Sequence, residues 1–316
     1  MTDNAFARHV HEGLTASQKF LSSKYFYDQT GDRLFQAIMA SPEYYLTNAE
    51  LEIFSQQKEA IRDALPHDLF DLVELGAGDG FKTQVLLEHF IAQGTQFEYL
   101  PVDISNNALR GLEEKLQKSM PALTVHPVQG DYLDALGKLP NNGHPRVILF
   151  LGSNIGNFPP PRAVQFLRAI RNRMDQQDAL LIGFDLKKHP QVILAAYNDA
   201  SGHTRSFNLN LLVRINRELG GRFKLEQFEH FPTYDPQTGA TKSFLVSQVD
   251  QQVPIGGIGE TVSFRAGESI FMEISQKYSP ADLVELAAAT GFVIKQVFSD
   301  SRDYFADQLW LPETQP

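Results

Sequence analysis

The stretch ELGAGDGFKT, Glu74 to Thr83, decides the fold. It follows one apolar run and precedes another, and its glycines fall at 76, 78 and 80. The dinucleotide fingerprint G-x-G-x-x-G fails because Phe81 occupies its third glycine position. The phosphate loop G-x-x-x-x-G-K-[ST] fails too. Lys82 and Thr83 are present, but the glycine spacing is wrong. What remains is E-x-G-x-G-x-G at a strand end. Glycines there let the backbone approach a ligand closely and turn sharply into a helix.

Outward from this loop, short apolar segments alternate with amphipathic ones. LFDLVEL precedes the loop and a helix follows from about residue 81. Then come FEYLPVDI and SNNALRGLEEKLQKSM, LTVHPVQGD, RVILFLG and PPRAVQFLRAIRNRM, ALLIGFDL and HPQVILAAYNDAS. This rhythm predicts an α/β fold, a mostly parallel Rossmann-like sheet with helices on both faces. Asp103 ends the second predicted strand, placed to accept hydrogen bonds from ribose hydroxyls. Asp131 ends the third, where a contact to an adenine edge would fall.

The flanking segments read differently. Residues 1 to about 66 are predicted helical, with Asn48 capping NAELEIFSQQKEAIRDAL. Residues 223–275 alternate as strands, and DPQTGATK has the composition of a hairpin turn. SPADLVELAAATG predicts a helix capped by Ser279 and Gly291, and FVIKQVFSD and DYFADQLWL are the last strands. The expected division is a sheet domain, 60–195 plus 278–316, and a second α+β lobe, 1–59 plus 196–277.

The chain has 316 residues, 42% of them apolar, which predicts a folded protein with a sizeable core. It has no cysteine, which removes disulfides, thiolate metal sites and cysteine nucleophiles, and fits a cytoplasmic protein. A net charge of −10 argues against nucleic acid as a partner. No apolar run approaches the ~20 residues of a membrane span, and the N-terminus lacks a secretory apolar core. His9, His11, His203 and His230 lack metal-ligand spacing, so no metal is expected. The expected partner is a small molecule, with no protein partner predicted.

The glycine loop and the two acidic strand ends resemble the class I S-adenosylmethionine-dependent methyltransferases. That resemblance implies that the loop holds the methionine end of a sulfonium cofactor, which has no pyrophosphate. Four further segments resemble one family, the histidine Nα-methyltransferases of ergothioneine biosynthesis, which make hercynine. They are KYFYDQTGDRLFQAIMASPEYYLT, FLGSNIGNFPP, AYNDASGHTRSFNLNLLVRINRELGGRF and GESIFMEISQKYS. The resemblance implies cofactor contacts from Tyr27, Gly76, Gly78, Lys82, Asp103, Asp131 and Tyr132. It implies that Tyr44, Asn157 and Tyr197 grip the amino-acid backbone, and that Glu273 and Ser275 read the imidazole. Tyr27 is the implied catalytic residue, orienting the amine. One departure stands out. Where the family commonly has a methionine near the imidazole, this chain offers Ser243, or Phe244 if the register shifts by one.

The assignments make physical sense. Tyrosine hydroxyls and an asparagine amide suit a carboxylate, and a neutral imidazole needs one acceptor and one donor. E-x-S on a strand puts both side chains on one face. Each residue also has a plainer reading: Tyr44 and Tyr45 as packing aromatics, Asn157 as a turn cap, Glu273 in a surface ion pair with Lys277. Rival functions are the same chemistry on another amino acid or histidine derivative, and a cofactor-binding module without turnover. A nicotinamide dehydrogenase is disfavoured by Phe81.

Overall fold

The computed structural model describes residues 4–139 and 142–314. Its helices are α1 (Ala5–Thr15), α2 (Gln29–Met39), α3 (Tyr45–Ala64), α4 (Thr83–Ala92), α5 (Asn106–Ser119), α6 (Tyr132–Leu136), α7 (Pro160–Arg171), α8 (Pro190–Ala196), α9 (His203–Leu219) and α10 (Pro280–Ala289). Its strands are β1 (Leu69–Leu75), β2 (Gln96–Asp103), β3 (Val128–Gln129), β4 (Arg146–Phe150), β5 (Ala179–Asp185), β6 (Phe228–Asp235), β7 (Ala240–Ser247), β8 (Gln251–Ile255), β9 (Glu260–Phe264), β10 (Ser269–Gln276), β11 (Phe292–Ser299) and β12 (Phe305–Pro312). Contacts divide the chain into two compact units. One is Met1–Tyr45 with Lys188–Ser275; the other is Leu46–Lys187 with Gln276–Pro316.

The second of these holds a seven-stranded sheet in the order β11-β12-β5-β4-β1-β2-β3. β5, β4, β1, β2 and β3 run parallel, while β12 is antiparallel to β5 and β11 to β12. β5 is buried at every position, as the continuous run ALLIGFD requires of a central parallel strand. The core joins Val73, Leu75, Ile148, Phe150, Ile182 and Trp310 to the inner faces of α7 and α10. Burying each large apolar side chain stabilises by about 1.5–3 kcal/mol. Ser279 caps α10 in a reciprocal capping box with Asp282, and Gly291 follows the helix with φ +80°.

Three sequence expectations shift. α3 starts at Tyr45, so Asn48 lies inside its first turn and is not the cap. The third strand is only Val128–Gln129. α3 also belongs with the sheet: Gln57 donates to the Ser299 carbonyl at 2.7 Å, and Glu52 accepts from the Ser301 amide at 2.8 Å.

The other unit packs α1, α2 and α9 with a three-stranded sheet, β10-β7-β6, and a two-stranded one, β8-β9. β6 and β7 form the expected hairpin, with Gly239 at φ +76° in its turn. α9 had no counterpart in the strand-and-helix rhythm. Its Phe207, Leu211, Leu212, Ile215 and Leu219 recur at helical spacing and are buried.

One ion pair is wholly inside the sheet unit. Lys277 Nζ lies 2.7 Å from Asp185 Oδ2, and both side chains are fully buried. The plainer reading of Lys277, as a surface partner for Glu273, is therefore wrong. Removing one member of a buried pair strands the other, which costs about 3–5 kcal/mol. Lys277→Met should lower the unfolding free energy by that amount in urea titrations. Adding Asp185→Leu should recover most of it; a single variant as stable as the parent contradicts this role.

Candidate active site

At the carboxyl end of β1 the chain turns through Gly76 (φ +79°), Gly78 (φ +56°) and Gly80 (φ +62°). Only glycine adopts such backbone freely. A Cβ on Gly80 would meet Leu112 Cδ1 at 2.4 Å, and one on Gly76 would crowd Asn154 and the Tyr132 hydroxyl. Beside Gly78 there is open space. The Gly78 amide donates to Asp103 Oδ2 at 3.0 Å, and the Ser105 amide donates to Oδ1 at 2.8 Å. Burial raises the Asp103 pKa against the pull of these amides. Tyr132 packs edge-on against Phe150, and burial raises the pKa of its hydroxyl, followed by the charges of Asp103 and Asp131. Asp131 is exposed. It ends no strand but caps α6, accepting from the Leu133 amide at 3.4 Å.

Lys82 sits at the start of α4 and pairs with the fully buried Glu50 of α3. Asn157 is exposed at the end of the turn Asn154–Asn157. That turn is entered through two left-handed residues, Gly152 (φ +69°) and Ser153 (φ +56°). A non-glycine residue held there stores strain, a usual mark of a functional loop. Ser153 Oγ accepts from the Asp185 amide at 3.0 Å, which secures it.

In the unit of α2 and α9, Tyr27 is half-buried and meets Phe35 and Phe207 edge-on, both at 5.7 Å. Its neighbour Asp28 explains the FYDQTG segment. Asp28 caps α2 through the Gly31 amide and accepts from Asn210 at 2.9 Å and Arg217 at 2.7 Å. Burial raises its pKa, but these donors outweigh burial and hold it below the usual value. A Cβ on Gly31 would strike the Phe26 carbonyl oxygen at 1.8 Å. The two tyrosines of PEYY differ. Tyr44 is half-buried against Phe35, while Tyr45 is buried under Lys188, whose Nζ donates to its hydroxyl at 2.8 Å.

The structure brings Tyr197 and Ser275 together. The Tyr197 hydroxyl donates to Ser275 Oγ at 2.7 Å, with both residues buried. Glu273 lies two residues earlier on β10, half-buried on the same strand face. The register of β7 is also legible. Phe244 meets Phe271 edge-on at 5.8 Å, and Phe271 alternates onto the Glu273 face. Ser243 points the other way, fully buried on the side of Leu245, which packs with α9 residues. Phe244, not Ser243, therefore shares the face of Glu273.

A family model described as histidine-specific methyltransferase, SAM-dependent, matches residues 6–312. The chain belongs to that family. It is 36% identical over 286 residues to the histidine N-alpha-methyltransferase of Mycolicibacterium smegmatis, covering 90% of this chain and 88% of that protein. It is 29% identical over 294 residues to ergothioneine biosynthesis protein 1 of Schizosaccharomyces pombe, covering 90% of this chain and 38% of that one. It is 30% identical over 298 residues to the N-methyltransferase fsqC of Aspergillus fumigatus, covering 92% and 79%.

The loop suits the methyltransferase family's sulfonium cofactor. Gly78 leaves room for close approach, Asp103 presents a carboxylate held by two amides, and Lys82 is a partly exposed cation paired with Glu50. Among the described residues no helix is long and apolar enough to cross a membrane, and no acidic or histidine cluster could hold a metal ion.

Sequence reasoning missed the buried acids behind this loop. Glu74 accepts from Thr83 Oγ1 at 2.6 Å and from the Tyr99 hydroxyl. Burial pushes its pKa up to about 7, against the pull of Thr83, Tyr99 and Lys82. The signal was present: Glu74 interrupts an apolar strand buried on both faces. The consequence for stability has a definite sign. Unfolded, Glu74 ionises near 4.5; folded, it keeps its proton to about 7. Between those values the folded chain binds more protons, so this stabilisation is complete below pH 4.5 and is lost as pH rises through about 7. Lowering the pH from about 8 to about 4.5 should stabilise the parent relative to Glu74→Gln by on the order of 3 kcal/mol, measured by denaturant unfolding. A difference that stays flat with pH would show that Glu74 is ionised throughout.

Proposed function

We propose that this methyltransferase acts on the α-amino nitrogen of L-histidine, three times in succession, giving hercynine. The observation that carries the substrate reading is the arrangement of Glu273, Ser275 and Tyr197. One strand face offers a carboxylate and a hydroxyl, and a buried tyrosine bonds to that hydroxyl. A neutral imidazole presents one donor and one acceptor, and this face supplies their complements. The activities for which the relatives are named support the same reading.

Bound S-adenosylmethionine supplies an electrophilic methyl group on a sulfonium sulfur. The residues of this chain have to hold, orient and desolvate. Gly76, Gly78, Lys82, Asp103, Asp131 and Tyr132 are assigned to the cofactor. Tyr44, Asn157 and Tyr197 are assigned to the amino-acid backbone, with Tyr44 and Asn157 as donors to its carboxylate; the one hydroxyl proton of Tyr197 goes to Ser275 Oγ. An α-amine titrates near ~7.7–8.0 in peptides, and it must be neutral to act as a nucleophile. Tyr27 is assigned to orient that amine and help its proton leave to water. Its ring, with other tyrosine rings, can stabilise the growing ammonium by cation–π contact. Phe244 takes the place beside the imidazole reader that a methionine commonly holds in the family. The absence of cysteine fits a reducing compartment, and we place the reaction in the cytoplasm.

Calorimetric titration of free amino acids with S-adenosylhomocysteine present tests the substrate. Histidine should bind in preference to other amino acids. Glu273→Ala should weaken histidine at least about tenfold and leave S-adenosylhomocysteine affinity within about threefold. Tyr27→Phe should lower kcat by about tenfold or more with smaller changes in cofactor affinity. Histidine binding that survives Glu273→Ala would remove Glu273 as the imidazole reader, and tighter binding of another amino acid would turn the substrate assignment to it.

A further inference from the structure

A second pair of acids lies beneath Lys82. Glu50, on α3, is fully buried although it shares a helix face with Ala49, Ile53 and Phe54. Its Oε1 accepts the Gly152 amide at 2.7 Å and its Oε2 pairs with Lys82 Nζ. Asp307, on β12, is also fully buried. Neither Asp307 oxygen accepts a hydrogen bond from a donor among the described residues. Gly183, paired with Asp307 across β5 and β12, locates the two acids relative to each other. A Cβ on Gly183 would sit 2.7 Å from Glu50 Oε1 and 3.0 Å from Asp307 Oδ1. The absence of a side chain at 183 is what lets two carboxyl groups occupy one dry space.

Two adjacent buried carboxyls cannot both stay ionised. Glu50 already has a cation and an amide to satisfy a negative charge, and Asp307 has neither. Burial first, and the Glu50 charge second, raise the Asp307 pKa far above the usual carboxylate range. A protonated Asp307 then donates to Glu50, which gives one of its two oxygens a partner. The result is one negative charge, one proton and one ammonium in a buried row: Asp307, Glu50, Lys82.

We propose that Glu50 and Asp307 are positioning residues that act through Lys82, fixing its ammonium to receive the carboxylate of the cofactor's methionine end. This rests on the cofactor assignment above. Lys82 has three N–H donors, Glu50 engages its ammonium, and its side chain remains 20% exposed at the mouth of the glycine loop. A lysine is a flexible point charge, so its aim has to come from what it is tied to. The pair also ties that aim to Gly152, and hence to the turn that carries Ser153 and Asn157.

The test compares two ligands that differ only at the methionine end. S-adenosylhomocysteine carries the amino acid; methylthioadenosine lacks it. Replacing Glu50 alone would let Asp307 ionise in its place, so the informative variant is Glu50→Gln/Asp307→Asn, which keeps the shapes and removes the charge. It should bind S-adenosylhomocysteine about tenfold more weakly, with methylthioadenosine affinity unchanged, by calorimetry. Lys82→Met should show the same selective loss. Asp307→Ala should weaken S-adenosylhomocysteine several-fold, and Asp307→Asn should restore most of it, because the amide still donates to Glu50. An unchanged ratio of the two affinities in the double variant overturns the proposal, and so does an equal loss of both ligands. Should that variant not fold, Glu50→Gln/Lys82→Met, which removes both members of the Glu50–Lys82 ion pair and keeps Asp307 beside a neutral amide, takes its place. It should match Lys82→Met alone, and a further loss would show Glu50 acting elsewhere. A parent protein that binds neither ligand would overturn the cofactor assignment itself.

Discussion

The turn from β1 into α4 depends on Asp103. Three left-handed glycines bring the backbone of the loop to the carboxyl edge of the sheet, and their amides have to be satisfied there. The Gly76 amide reaches the Val102 carbonyl at 2.8 Å, and the Gly78 amide reaches the Asp103 carboxylate at 3.0 Å. One acid thus holds the middle of the loop through the Gly78 amide, while the backbone carbonyls of Val102 and Ala77 hold Gly76 and Gly80. The parallel sheet places this edge where ligands bind in such folds, and the loop makes it approachable.

Behind that edge the unit buries more acid than a hydrophobic core tolerates without cause. Burial raises the pKa of Glu74 and of Asp307, while Glu50 and Asp185 are each paired with a lysine. Desolvating a carboxylate costs several kcal/mol even after relaxation, far more than an exposed ion pair returns. Their retention is better understood as placement than as stability. Glu74 accepts from Thr83 at the end of the loop, Glu50 holds Lys82 and the Gly152 amide, and the Asp185 backbone amide donates to Ser153.

Much of this was legible in the chain. The alternation from Leu69 onward predicted the sheet because parallel strands buried on both faces read as continuous apolar runs. Ser279 and the DPQTG turn were readable because caps and turns are local chemistry. The losses have physical reasons. α9 went unread because polar residues lie among its apolar ones, including the buried Asn208 and Asn210. The change of rhythm near residue 60 is not the contact boundary after Tyr45, because a helix shows its packing face in sequence but not what it packs against. Asp131 was expected to end a strand, yet it caps a short helix, a role that its one-residue distance from the helix conceals. Ser243 and Phe244 could not be separated without strand pairing, since a slip of one residue exchanges the faces. Glu50 and Asp307 lie far apart in sequence, and only the missing side chain of Gly183 discloses that they meet.

The central claim is trimethylation of the histidine α-amine. The most direct measurement is mass spectrometry of L-histidine incubated with the protein and S-adenosylmethionine, with fragmentation to locate the added groups. The account predicts a gain of three methyl groups, all on the α-nitrogen. Unmodified histidine, or a methyl group on the imidazole ring, would contradict it.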